Sequence, residues 1–181
     1  MAKVTIATDW LAACAGCHMS LLDIDDRIVQ LLEAVEFTSS PITDLKHPPE
    51  EGVTVGILSG AISNTHNVEV AKMFRERSKI LIAIGDCATF GGVVASRNMV
   101  GTPEALRRAY IETESTVDGL IPDSPELGIP LDMVTGIGEV VKVDLFIPGC
   151  PPRADALFYA LSELLAGRTP VVLPPEHFVY D

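Results

Sequence analysis

Basic residues are scarce in this chain of 181 residues. Thirteen lysines and arginines stand against 25 aspartates and glutamates, which gives a formal net charge of -12. A nucleic-acid backbone or an anionic membrane surface requires a basic patch on the protein that binds it. The composition therefore excludes nucleic acid and membrane surfaces as expected partners.

Long hydrophobic runs are also missing. No apolar run approaches the roughly 20 residues that cross a bilayer. The N-terminal sequence MAKVTIATDW lacks the features of a secretory signal, and there is no internal repeat. We therefore expect a cytoplasmic protein. Hydrophobic residues make up 48% of the chain, enough for one packed core, so we predict a single domain over residues 1–181.

Short apolar runs alternate with stretches of helical periodicity. Five strands are predicted, at residues 3–8, 36–38, 53–59, 79–85 and 141–147. Four helices are predicted, at residues 21–35, 67–77, 102–112 and 154–166, with Thr102 as a helix cap and a long loop over 115–135. Strands that are apolar on both faces and alternate with helices indicate a parallel sheet covered on each side. The predicted class is α/β, a flavodoxin-like doubly wound sheet of about five strands ordered 2-1-3-4-5.

Cysteine is rare, but each of the four cysteines follows a predicted strand. Cys14 and Cys17 come after the first strand, Cys87 after the fourth and Cys150 after the fifth. All strand-to-helix loops of a parallel sheet emerge at the carboxyl edge, where such sheets bind their ligands. We therefore expect the four side chains to converge. The loop at residues 59–64, which follows the third strand, should form another wall of the same crevice.

Four converging thiolates are the donor set of a 4Fe–4S cluster. A structural zinc site has the same ligand count, although such sites more often contain two Cys-x-x-Cys pairs and this chain contains one. A thioredoxin-like dithiol at Cys14 and Cys17 is a further alternative, but it leaves Cys87 and Cys150 without a role. In a reducing cytoplasm, a metal-binding or catalytic role is favoured over structural disulfides.

Three separated motifs resemble the small subunit of nickel–iron hydrogenases. They are Trp10-Leu11 with Cys14-x-Gly16-Cys17, Gly85-x-Cys87-Ala88 with Gly91-Gly92, and Pro148-Gly149-Cys150-Pro151-Pro152. The resemblance spans nearly the whole chain. It implies a flavodoxin-like fold, with the four matching cysteines as ligands of one proximal 4Fe–4S cluster. It also implies that the catalytic nickel–iron centre lies in a large-subunit partner, so no catalytic residue is expected here.

The segment from Cys17 to Asp23, CHMSLLD, is most similar to the small subunit of soluble NAD-reducing hydrogenase. That resemblance implies a diaphorase partner carrying FMN and further iron–sulfur clusters. Neither a twin-arginine signal nor a C-terminal domain for two more clusters is expected in this chain. Complex I-like quinone reductases usually have adjacent cysteines at the first motif, whereas Ala15 and Gly16 intervene here. Another cytoplasmic nickel–iron hydrogenase, a complex I-like subunit and a zinc-stabilised interaction module remain the alternatives.

Two aromatic residues near the first cysteine pair are candidates for contacts around the cluster. Trp10 and His18 could form its second shell, since a hydrogen bond to a cluster sulfur raises the potential. Trp10 could equally be a packing residue, and His18 could face solvent or begin a helix. His66 is assigned to a helix start, while His47 and His177 lie in predicted loops. The 59–64 loop lacks a flavin fingerprint, so FMN is not expected in this chain.

Overall fold

The computed structural model describes residues 3–168, 171 and 173–177. Its strands are β1 (Val4–Trp10), β2 (Val35–Ser39), β3 (Val53–Ser59), β4 (Ile62–Asn64), β5 (Ser78–Ile84), β6 (Pro130–Thr135) and β7 (Leu145–Ile147). Five of them form a parallel sheet in the order β2-β1-β3-β5-β7. Counted along the chain, these five strands follow the predicted order 2-1-3-4-5, so the flavodoxin-like topology is confirmed.

In the described part of the chain, six helices connect and cover the strands. They are α1 (Gly16–Leu22), α2 (Arg27–Ala34), α3 (Thr65–Arg77), α4 (Asp86–Phe90), α5 (Thr102–Tyr110) and α6 (Ala154–Leu165). Three 3₁₀ segments, Gly92–Met99, Ile137–Glu139 and Pro175–His177, complete the helical elements of the described residues. Helices α3 and α6 match the predictions for those regions within two residues at each end.

Both faces of the sheet are buried. On one face, Ile6 and Ile57 pack in a cluster with α6 residues such as Leu157. On the other face, Ala7 and Leu58 belong to a second cluster, which includes Phe74 of α3. Neighbouring strand residues point to opposite faces, so two covered faces require nearly continuous apolar strands.

One predicted helix, over residues 21–35, is wrong as a continuous element. The chain turns between α1 and α2, where Asp25 takes a φ of 59°, and Val35 already belongs to β2. Aspartate tolerates this left-handed conformation better than most residues. The apolar spacing still identified the buried side, because Leu21 and Leu31 lie in the same core cluster.

The predicted loop over 115–135 is wrong at its C-terminal end. Residues Pro130–Thr135 form β6, which pairs antiparallel with the three-residue strand β4. Most side chains of β6 are not buried, so the segment lacks an alternating apolar pattern. The strand exists because a distant segment offers it hydrogen-bonding partners, and local sequence does not record that pairing.

Two further boundaries differ from prediction. The fifth strand of the main sheet is only Leu145–Ile147, because Asp144 accepts the Leu81 N–H through its side chain at 2.9 Å. Gly101, not Thr102, occupies the cap of α5, and the Thr102 hydroxyl donates instead to the Leu131 carbonyl. In both places a tertiary hydrogen bond uses a group that sequence rules assign to local structure.

None of the helices in the described part of the chain has the length and apolar content required to span a membrane.

Candidate metal centre

All four cysteines line one cavity of about 80 Å³ at the carboxyl edge of the sheet. Cys14 lies just before α1, Cys17 lies in the first turn of α1, Cys87 lies in α4, and Cys150 follows β7. The structure therefore brings together the side chains that the sequence predicted to converge. Gly60, from the 59–64 loop, contributes to the same wall. That the four thiols bind a cluster remains a prediction at this point.

Glycines leave the space that the sulfur atoms occupy. A Cβ atom on Gly85 would lie 2.3 Å from the Sγ of Cys17, and one on Gly92 would lie 2.8 Å from the Sγ of Cys87. Both glycines also have positive φ angles, +86° and +48°. Any larger residue would meet both backbone strain and a steric clash with a thiol.

Hydrogen bonds join the cysteine-bearing segments to one another. The buried Ser20 hydroxyl, in α1, donates to the Pro152 carbonyl at 2.5 Å. The Asp86 carboxylate accepts the Gly149 N–H at 2.7 Å, and the Asp86 N–H donates to the Gly149 carbonyl at 2.9 Å. The segments around Cys17, Cys87 and Cys150 are thus tied together by side chains as well as by the sheet.

Two of the four thiols, Cys17 and Cys150, have raised pKa values. Burial raises the pKa of Cys17 to about 12, and the three other cysteines and Asp86 add to the effect. Burial also raises the pKa of Cys150, with further contributions from Cys87, Asp86 and Cys14. Only a thiolate ligates iron or zinc, so a metal must displace protons here and supply the compensating positive charge.

A cluster and a single ion require different spacings of the four thiolates. Four thiolates around one zinc ion lie about 3.8 Å apart, given Zn–S bonds near 2.3 Å in a tetrahedron. Among the described residues, no three His, Cys, Asp or Glu side chains are grouped closely enough to hold a single ion. A four-iron cubane is wider than one ion and holds its thiolates further apart. The donor set and the glycine-lined cavity therefore fit a 4Fe–4S cluster.

His18 is buried beside this cavity but does not line it. Its Nδ1 lies 3.2 Å from the Ser59 hydroxyl, and its ring meets that of Trp10 edge-on at 5.3 Å between centroids. Burial lowers its pKa to about 4, so the ring is neutral. The solvent-facing interpretation is wrong. The second-shell role of His18 and Trp10 stays a prediction, because the contacts found are with Ser59 and with each other.

The remaining histidines lie away from the four thiols. His66 occupies the first turn of α3, as predicted. His47 lies in a loop, and His177 lies in a 3₁₀ turn with its ring centroid 5.1 Å from that of Tyr159. Part of the C-terminal tail, residues 178–181, falls outside the described residues.

The 59–64 loop gives no support to a flavin phosphate. Its Ser59 hydroxyl pairs with His18, and its Ser63 hydroxyl donates to the Asn67 side chain at 3.0 Å. These groups already have partners within the fold. The expectation that this loop bounds the crevice holds for Gly60, whereas residues Ile62–Asn64 form β4.

Sequence reasoning missed two residues of the site. Asp86 lines the cavity, and Ser20 joins the segment after Cys17 to the segment after Cys150. Asp86 could have been found, since it directly precedes Cys87 at the end of a predicted strand. Ser20 gave no such signal, because its partner carbonyl lies 132 residues further along the chain.

Comparison with known proteins agrees with this fold and site. The family described as NADH ubiquinone oxidoreductase, 20 Kd subunit, matches residues 14–164. This range includes all four cysteines. The chain belongs to this family. The family's description names the enzyme of respiratory complex I, whose subunit was one of the alternatives predicted from sequence.

Several relatives of this chain are hydrogenase subunits. The chain is 41% identical to the NAD-reducing hydrogenase HoxS subunit delta of Cupriavidus necator, over 99% of this chain and 86% of that protein. It is 38% identical to a subunit of the F420-non-reducing hydrogenase of Methanothermobacter thermautotrophicus, over 92% of this chain. It spans only 54% of that second relative's length. The resemblance to hydrogenase small subunits is confirmed.

Solved structures give the same result. A chain in the crystal structure of an NAD+-reducing [NiFe]-hydrogenase in the H2-reduced state superposes with a TM-score of 0.93 at 39% identity. The match covers 99% of this chain and all of the other. The [NiFeSe] hydrogenase of Desulfovibrio vulgaris Hildenborough matches with a TM-score of 0.60 at 15% identity, which shows a shared fold alone.

Proposed function

We propose that this chain is the electron-transfer small subunit of an NAD-reducing nickel–iron hydrogenase and that it carries one proximal 4Fe–4S cluster. The observation that carries the proposal is the single cavity lined by Cys14, Cys17, Cys87 and Cys150. It occurs in a chain 41% identical to a subunit of an NAD-reducing hydrogenase. Four soft thiolate donors are the usual ligand set of such a cluster.

In this proposal the protein's own residues bind and shield the cluster. The four thiolates hold the iron, while Gly85 and Gly92 let the sulfur atoms approach the backbone closely. When bound, the cluster accepts and passes on one electron at a time. The Asp86–Gly149 and Ser20–Pro152 hydrogen bonds keep the ligand segments in register. A fixed geometry favours rapid electron transfer, because little rearrangement accompanies each change of charge.

The surface beside the cavity suits a protein partner. Val93 lines the cavity and is 68% exposed, and the nearby Phe90 is 59% exposed. Contiguous exposed apolar surface beside a site is typical of a contact surface, and these two side chains would contribute to one. We assign it to the large subunit that holds the nickel–iron centre. A diaphorase module with FMN and further clusters would then take the electrons to NAD, and no flavin is assigned to this chain.

The test is anaerobic purification of the complete complex, followed by metal and sulfide analysis. After the partners' clusters are subtracted, the proposal requires about four iron atoms and four labile sulfides in this subunit. One zinc ion without sulfide would identify the interaction module instead. A nickel-containing partner and hydrogen-dependent reduction of NAD separate this proposal from a complex I-like assembly.

A ligand variant makes the test specific. Cys150→Ala should abolish the reduced paramagnetic signal of this cluster and the reduction of NAD by hydrogen. Ser115→Ala is the matched control, because it removes a similar atom from an exposed loop outside the cavity. An unaltered cluster signal in the Cys150 variant would show that this fourth ligand is misassigned.

A further inference from the structure

Asp86 is a carboxylate in a wall otherwise made of thiols and small or apolar residues. It lines the same cavity as the four cysteines, directly before Cys87 in the first turn of α4. It is the only Asp, Glu, Lys or Arg among the described residues that line this cavity. A carboxylate among thiols and small residues therefore needs an explanation.

The hydrogen bonds of Asp86 supply part of that explanation. Its Oδ1 accepts the Gly149 N–H at 2.7 Å, and its own N–H donates to the Gly149 carbonyl at 2.9 Å. Gly149 immediately precedes Cys150, and Asp86 immediately precedes Cys87. One residue therefore closes a two-bond link between the segments that present two of the four sulfur atoms.

The backbone around Gly149 is tightly constrained. Its φ is +136°, and a Cβ atom there would lie 2.4 Å from the Pro152 Cα. The tight turn thus aims a backbone N–H at the α4 segment, and a carboxylate is a strong acceptor for it.

We infer that Asp86 is a positioning residue that fixes Cys87 relative to Cys150 and also lowers the reduction potential of the cluster. This inference rests on the proposed cluster site. Reduction adds an electron to the cluster, and a neighbouring negative charge disfavours that addition. Net charge and hydrogen bonding around a cluster are among the main determinants of its potential.

Two substitutions at this position separate the two effects. Asp86→Asn keeps an oxygen that can accept the Gly149 N–H but removes the charge. Asp86→Ala removes both. In the intact complex, we expect the Asn variant to retain its iron and sulfide and to show a higher midpoint potential. We expect the Ala variant to lose cluster or to show an altered paramagnetic spectrum.

Asp26→Asn is the matched control. It also removes one negative charge, but Asp26 is exposed in the turn before α2 and its side chain makes no capping bond. The cluster of the Asp26→Asn variant should have the same midpoint potential as the cluster of the unmodified protein. Salt screens the charge of an exposed carboxylate such as Asp26 more than that of Asp86, which lines the cavity. Raising the salt concentration should therefore not remove the difference in midpoint potential between the two Asn variants.

The outcomes are separable from those of the proposed function. If the unmodified chain contains no iron and sulfide, the cluster assignment itself fails. If it contains them but Asp86→Asn leaves the potential unchanged, the electrostatic role is overturned. If Asp86→Ala keeps a full cluster with the original spectrum, the positioning role is overturned.

Discussion

At the carboxyl end of the five-stranded sheet, small residues surround four thiols, whereas charged side chains surround a cavity at the amino end. The carboxyl-end cavity is about 80 Å³, and its wall includes glycines, alanines and the four cysteines. The amino-end cavity is about 280 Å³ and is lined by residues such as Glu76, Arg77 and Lys79. The same strands begin in one environment and end in the other.

The two ends of the sheet differ in what their side chains do. Strand-to-helix turns at the carboxyl end must admit sulfur atoms close to the backbone, and glycine makes that possible at Gly85 and Gly92. At the amino end, Arg75 and Asp144 join neighbouring strands through hydrogen bonds and an ion pair. We therefore expect changes at the carboxyl end to affect the cluster and changes at the amino end to affect stability.

The largest effect should come from Gly85→Ala, because it fills the space that a glycine leaves for a sulfur atom at the carboxyl end. The new Cβ would lie 2.3 Å from the Cys17 Sγ at a φ of +86°. We expect the cluster to be lost and hydrogen-dependent NAD reduction to fall below about 1%. Iron, sulfide and the reduced paramagnetic signal measure the loss.

Gly167→Ala is the control for backbone strain. Gly167 has a φ of +71°, but no atom of the described residues lies within 4 Å of the place that a Cβ would occupy. This variant should lose about 1–2 kcal/mol of stability and keep its cluster. A cluster-free Gly167 variant would contradict the view that the clash with sulfur, rather than strain, is decisive.

Asp144→Ala should lower the stability of the fold by removing hydrogen bonds at the amino end of the sheet, without affecting the cysteine-lined cavity. Burial would raise the pKa of Asp144, but the Leu81 N–H and the Arg75 guanidinium outweigh it and hold the pKa below its usual 3.8. A lowered pKa stabilises the fold above pH 3.8, and this contribution disappears as the pH falls through the folded-state pKa. We expect a loss of about 2–3 kcal/mol at neutral pH, measured by urea unfolding.

The variant should also lose less stability than the unmodified protein on acidification. Asp155→Ala is its control, because Asp155 forms an exposed ion pair with Arg27 at 2.9 Å and such pairs contribute little. Equal losses in the two variants would show that the links between strands at the amino end are unimportant. Loss of the cluster from a folded Asp144 variant would break the division between the two ends.

His18→Phe tests a residue that borders the carboxyl-end site. The ring is kept against Trp10, but the buried Ser59 hydroxyl loses its partner, at a cost of about 1–2 kcal/mol. The second-shell prediction also requires a shift in cluster potential. An unchanged potential, with His66→Phe as an exposed control, would leave His18 as a packing residue.

The smallest effect is expected from Asp9→Asn. Burial raises the pKa of Asp9, which lies near the end of β1, so its contribution to stability is present below the unfolded-state pKa and is lost as the pH rises. Asparagine retains an acceptor for the Trp10 N–H. Because Asp9 is partly exposed, the gain at neutral pH should be under about 1 kcal/mol.

Urea unfolding at neutral and acidic pH would measure the change, with exposed Asp132→Asn as the control. The gain should vanish in acid, where the carboxyl group is already protonated. A stabilisation that persists unchanged in acid would point to a cause other than charge burial.

The parallel sheet and the convergence of the cysteines were accessible from sequence for one physical reason. Apolar strands such as Val53–Ser59 identify a sheet buried on both faces, and parallel strands place their loops at a common edge. Because Cys87 and Cys150 follow strands of this sheet, its topology places them at the same edge as Cys14 and Cys17.

Two of the remaining features depend on partners distant in sequence. Strand β6 is defined by its pairing with β4, and Asp144 shortens β7 through a bond to Leu81. The break between α1 and α2 arises at Asp25, within a run whose spacing suits one helix. The hydrogen bonds of β6 and Asp144 are decided by the completed fold, so local propensity alone misassigned those two elements.

The Ser20–Pro152 hydrogen bond joins residues 132 positions apart. A contact of that separation closes a long loop, which costs chain entropy before the contact stabilises the fold. A half-folded chain can present the local pair Cys14 and Cys17, but only the finished domain adds Cys87 and Cys150 to the same cavity. If the proposed cluster binds there, we therefore expect its complete ligand set to exist only in the folded chain.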